Sequence, residues 1–113
     1  MHTGSMDTPD FVTVQTTTDT AAEAEKLASA AVEQQLAACV QVSEVRSYYR
    51  WEGETHHDPE FLLTLKTTAA SLPGIKMFLS QEHSFDEPEL IVQPIIAGGD
   101  SYLQWIADST APE

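Results

Sequence analysis

The sequence predicts an α+β domain in which four antiparallel strands carry two helices on one face. Three observations predict it. Phe11 to Thr17 alternates like a half-buried strand and runs straight into a helical repeat. Cys39–Glu52 and Glu60–Thr67 are two neighbouring strand-forming stretches with a short polar connection, which makes them antiparallel. A second helix-then-strand pair follows from Ser71 to Ile96. The order β-α-β-β-α-β, with a short C-terminal helix after it, is the split βαβ pattern of a ferredoxin-like sandwich.

In the first strand, Val12, Val14 and Thr16 share one face. Thr20-Ala21-Ala22-Glu23 fits a capping box, Thr20 as N-cap and Glu23 reaching back. The helix it opens is expected to run to about Leu36, burying Ala24, Leu27, Ala28, Ala31, Val32 and Leu36 and exposing Glu25, Lys26, Ser29 and Glu33. The polar stretch Gly53–Pro59 reads as a hairpin loop before the strand Glu60–Thr67. Ser71 reads as the cap of the second helix, with Pro73 in its first turn and Leu72, Ile75, Phe78 and Leu79 on its buried side. Ser84–Pro88 reads as a loop. Glu89–Ile96 reads as a strand, placed by Pro94 at a sheet edge or a bulge. After Gly98-Gly99, Tyr102, Leu103, Trp105 and Ile106 mark the last helix.

The chain has 113 residues, one domain's worth, with 42% hydrophobic and 20% charged residues, as in a globular protein. Met1–Ser5 reads as a cloning remnant, leaving residues 6–113 as a single domain. Eighteen acidic residues stand against five basic ones, a formal charge of −13. Nucleic acid and anionic membrane surfaces are therefore not expected partners. No apolar run reaches the length of a membrane span. Cys39 is the only cysteine, so no intrachain disulfide can form, and a reducing, cytoplasmic setting is expected.

Cys39–Glu52 would span roughly 46 Å as one strand, against a radius of gyration near 13 Å for a domain this size. Its far end, carrying Tyr48, Tyr49 and Trp51, is expected to project from the core. An isolated two-stranded ribbon with exposed aromatics calls for a cover; a second subunit is the expected one, and the alternative is a bulge or bend near Ser43–Arg46 that folds the hairpin back on its own sheet.

Several blocks of the chain, in register, resemble the CutA family of divalent-cation tolerance proteins. They are Thr16-Thr17, Ala24-Glu25-Lys26-Leu27-Ala28, Leu36-Ala37-Ala38-Cys39-Val40, Ser47-Tyr48-Tyr49-Arg50-Trp51-Glu52-Gly53, Leu65-Lys66-Thr67, His83 with Pro88-Glu89-Leu90-Ile91, and Tyr102-Leu103-Gln104-Trp105-Ile106. The resemblance implies a tight homotrimer related in architecture to the P-II signalling proteins, with a response to metal ions and copper binding among the roles proposed for members. The chain departs from the family at Thr16, where metal proposals involve a cysteine, and at Glu82-His83-Ser84, where they involve a histidine pair.

A metal site needs two to four convergent ligands. His83, Cys39 and Glu82 are the candidate ligands for Cu²⁺ or another divalent cation. As a small residue before a strand, Cys39 also fits simple burial, and His83 also fits a helix C-terminus. His56-His57 reads as a solvated loop, since adjacent side chains point apart. No nucleophile sits in a recognisable catalytic pattern, and no enzymatic activity is expected. The alternative is a P-II-like signalling or scaffold trimer binding a small ligand or a protein in clefts between subunits. By resemblance, Tyr49, Trp51, Lys66 and Glu89, with His83, lie near that cleft.

Overall fold

A computed structural model describes residues 10–111; the Met1–Ser5 stretch lies outside them. Strand β1 (Phe11–Thr18), helix α1 (Ala21–Glu33), strands β2 (Cys39–Trp51) and β3 (Glu54–Thr68), helix α2 (Leu72–Glu82), strand β4 (Ile91–Pro94) and helix α3 (Asp100–Thr110) follow in order. The four strands form one sheet in the order β2-β3-β1-β4, every pairing antiparallel. This is the split βαβ arrangement expected from the sequence, and Pro94 lies in an edge strand as its missing N–H requires.

Val12 and Val14 of β1 and Leu63 and Leu65 of β3 meet Ala24, Leu27 and Ala31 of α1 and Ile75, Phe78 and Leu79 of α2 in one buried cluster. Fully burying an aliphatic side chain of this size contributes about 1.5–3 kcal/mol. Lys66 follows core-facing Leu65 and so points to the sheet's other face, where its Nζ donates to the Tyr102 hydroxyl at 3.3 Å. That bond places the start of α3 on the face away from α1 and α2.

Four local readings change. Helix α1 ends at Glu33, three residues short of Leu36, because Gln35 turns left-handed (φ 60°). This leaves Val32 exposed, while Leu36 still packs on the core. Ser71 stands at the N-cap position of α2 as expected but its side chain makes no capping bond: a 3₁₀ turn over Ala69–Ser71 precedes that helix, and the Ser71 hydroxyl pairs with that of Thr68 at 3.2 Å. Strand β4 is confined to Ile91–Pro94.

The largest change is in the hairpin. Residues 54–59, expected as a loop, are strand. Glu52 (φ 50°) and Gly53 (φ 81°) make a two-residue turn with positive φ at both positions, and its twist matches the strands it joins. Cross-strand stacks then hold the polar rungs: Tyr49 on His56 and Tyr48 on His57, both at 5.5 Å between ring centroids. Strand β1 pairs with β3 only from Phe61 to Thr68, so Pro59 borders β2 alone, in a stretch of β3 with one free edge. From Val45↔Glu60 to Trp51↔Glu54 the hairpin is a free two-stranded ribbon about 23 Å long. It gives the subunit extents of 51 × 28 × 24 Å and leaves Tyr48 71% and Trp51 62% exposed.

Thr16 sits on the core face opposite Leu63, fully buried, and its hydroxyl has no hydrogen-bond partner among the described residues. Thr16→Val keeps the shape and removes the orphan group, so it is expected to stabilise the fold by about 1 kcal/mol. Urea unfolding with an unchanged m-value checks this, and a loss of stability would show that the hydroxyl has a partner in solution.

Candidate functional site

The end of α2 builds one wall of the candidate site. The N–H of His83 closes the helix on Leu79 O at 3.0 Å, and its side chain then turns inward to 9% exposure. Strand β4 pairs with β1 only as far as Gln15, and the His83 ring takes up the Thr17 carbonyl beyond it, with Nε2 to O at 2.8 Å. The Phe85 N–H donates to His83 Nδ1 at 3.0 Å. Since Nδ1 accepts, Nε2 carries the proton and donates to Thr17. Both ring nitrogens are thus used inside the subunit.

Ser84 is fixed from the other side. Its N–H and its hydroxyl each donate to a different oxygen of the Glu23 carboxylate, both at 2.8 Å. The expected capping box is therefore half formed. The Glu23 N–H donates to Thr20 Oγ1 at 3.1 Å, but the Glu23 carboxylate holds the distant loop rather than reaching back to Thr20.

This pinned loop faces the ribbon across a surface groove whose lining reaches Trp51, the last rung before the turn. Five carboxylates line it: Asp19, Glu60, Asp86, Glu87 and Glu89. Tyr48, Tyr49, Trp51 and Phe85 supply its apolar surface, and no Lys or Arg lines it. The Tyr49 hydroxyl donates to Asp58 Oδ2 at 2.5 Å. That bond holds the Tyr49 pKa above the ordinary value of 10.0, helped by slight desolvation and by the charges of Asp58, Glu60 and Asp19, because ionisation would set a phenolate against carboxylates.

Of the residues expected at the cleft, Tyr49, Trp51 and Glu89 come together in this groove. Lys66 does not: it lies opposite Cys39 and Thr13, ten residues along β3 from the Tyr49 partner His56, roughly 33 Å away. Its ammonium lies 5.5 Å from the centroid of the Tyr102 ring. The metal candidates are not brought together within the subunit. Cys39, partly buried, opens β2 beside Lys66, while His83 is engaged at Thr17, whose β3 partner is Leu62. Among the described residues no three His, Cys, Asp or Glu side chains converge as metal ligands. His56 and His57 stack on opposite faces of the ribbon, as adjacent strand residues must. Sequence reasoning missed Asp19, Glu60, Phe85, Asp86 and Glu87; the acidic pair three residues after His83 was the available signal for Asp86 and Glu87.

A family profile described as CutA1 divalent ion tolerance protein matches residues 12–109. The chain belongs to the CutA family. It is 41% identical to the divalent-cation tolerance protein CutA of Thermus thermophilus over 88 residues, 77% of this chain and 85% of that one. It is 38% identical to the chloroplastic CutA protein of Arabidopsis thaliana over 97% of this chain, and spans 60% of that relative's length. The solved CutA of Synechococcus elongatus superposes with a TM-score of 0.89 at 36% identity, covering 92% of this chain and 93% of that one. The α+β fold read from the sequence is therefore the CutA fold.

Two outcomes test this site. Replacing His83 by Ala orphans the buried Thr17 carbonyl and the Phe85 N–H, so chemical denaturation should show a loss of at least about 2 kcal/mol. In a Tyr48→Phe/Tyr102→Phe background, alkaline ultraviolet titration should place Tyr49 above the ordinary phenol range. Adding Asp58→Asn should bring it down, and an unmoved curve would mean that the Asp58 bond does not persist in solution.

Proposed function

We propose that the chain acts in divalent-cation tolerance as a cytoplasmic homotrimer, with cations drawn to the acid-lined groove where one subunit meets the next. One observation carries this reading: the groove and the uncovered ribbon are adjacent, so the surface that needs a partner is also the surface that gathers negative charge. Oxygen donors suit hard or borderline divalent ions. A soft copper set of Cys39, His83 and Glu82 would need His83 to give up Thr17 or Phe85, and no three groove carboxylates converge within one subunit, so the proposed ligands are groove carboxylates brought together where subunits meet. No catalytic step is assigned to the chain.

The alternative, a P-II-like signalling or scaffold trimer, is favoured by a separate observation. Tyr49, Trp51 and Glu89 meet in a groove whose far wall is pinned before any ligand arrives. Both readings share the assembly and differ in what the cleft holds.

Calorimetric titration with Zn²⁺ and Cu²⁺ tests the first reading. Asp86→Asn/Glu87→Gln/Glu89→Gln should weaken binding at least about tenfold, whereas Cys39→Ser/Glu82→Gln should leave it unchanged. The reverse pattern would restore the soft-ligand set. Light scattering should give three times the chain mass, and a monomer would sink both readings.

A further inference from the structure

We infer that the fold responds to dissolved cations through its whole surface, gaining stability as their concentration rises, with no metal centre needed for the response. The inference goes beyond the groove reading and stands apart from it. The placement of the charges is its first support. Eighteen acidic residues stand against five basic ones, and no Asp or Glu among the described residues is buried. Among those residues, each carboxylate that accepts a hydrogen bond takes it from a neutral donor. Glu23 holds Ser84, Asp58 holds Tyr49, Glu89 takes the Gln15 amide at 3.4 Å and Asp108 takes the Gln104 amide at 2.9 Å. The cations turn elsewhere: Lys66 to the Tyr102 hydroxyl, and Arg50 to the Gly53 carbonyl at 3.4 Å.

This placement sets the sign of the salt effect. Where acids and bases are paired, salt weakens attraction and repulsion together, and the two changes offset. Here no carboxylate hydrogen bond depends on a Lys or Arg among the described residues, so screening acts chiefly by relieving repulsion.

Size sets how far that repulsion reaches. The screening length is about 30 Å at about 0.01 M salt and about 3 Å at about 1 M. The folded chain has a radius of gyration of 15.2 Å. Unfolded, a chain of this length has one of roughly 34 Å. In dilute salt the carboxylates of the folded chain therefore act on one another across the whole molecule, and unfolding spreads them apart. The folded state gathers the more counter-ions, so added cations favour it by mass action. A divalent ion carries twice the charge and does this at lower concentration. No three His, Cys, Asp or Glu side chains converge as ligands among the described residues, so the gathered ions form a diffuse layer rather than a coordination sphere. A rise in divalent cations is thereby read as a firmer fold.

Thermal unfolding of the full chain, followed by circular dichroism at one protein concentration, tests this. Between about 0.01 and about 1 M KCl the midpoint should rise by at least about 5 °C. MgCl₂ should give the same rise at about a tenth of the KCl concentration. Two triple variants locate the response: Asp86→Asn/Glu87→Gln/Glu89→Gln in the groove, and Glu25→Gln/Glu33→Gln/Glu44→Gln away from it. Each takes the formal charge from −13 to −10. Self-repulsion goes as the square of the charge, so each should shrink the rise by roughly 40%. A midpoint that stays level or falls with salt would overturn the inference. So would an undiminished rise in both variants, which would assign the effect to salting-out of apolar surface. A response lost in the groove variant and whole in the dispersed one would overturn it too, by making the groove a discrete site. Saturable Zn²⁺ binding can fail while the salt response stands, so the groove reading and this one fail separately.

Discussion

Strand β3 does two jobs along one length, and the rest of the molecule follows from where the change occurs. From Phe61 to Thr68 it is an interior strand, flanked by β1 and β2 and covered by the helices. From Glu54 to Glu60 it has β2 alone. The inner half needs apolar residues at every second position to fill the core, and Leu63 and Leu65 provide them. The outer half has no core to fill, so its stability comes from cross-strand stacks and from whatever covers it. The groove lies at the junction, where helix-anchored loop and free ribbon face each other.

The loop is held by one tertiary clamp rather than by its own geometry. Glu23 sits in the first turn of α1, and its carboxylate reads two donors of Ser84. His83 ties down the end of β1 that β4 does not reach. The polar wall of the groove is therefore tied to α1 and β1, both of which supply core residues, and its position is inherited from the packing of α1 against β1.

Much of the fold was legible because it rests on repeats that burial enforces. The alternation through Val12 and Val14 and the helical spacing of Ala24, Leu27 and Ala31 each announce a face, and the structure buries those faces. Residues 54–59 were not legible. Glu, Thr, His, His, Asp and Pro carry no strand pattern, and what makes them a strand is partner side chains on β2 and the positive φ of Glu52 and Gly53. The candidate site was legible in part. Tyr49, Trp51 and Glu89 were named, but Glu23 looked like a local cap because its true partner lies 61 residues away. Lys66, named with them, sits at the other end of the sheet, a separation visible only once the register is known.

The two-residue turn at Glu52-Gly53 has a consequence for how this hairpin can vary in length. Side chains alternate faces along the ribbon, so adding one rung would carry Tyr49 and Trp51 to the face that now presents Arg46 and Tyr48. Length changes between the core and Tyr49 are thus quantised in steps of two residues per strand. The ribbon keeps parity as well as reach, and an odd insertion would invert the surface it offers while leaving the core and the fold unchanged.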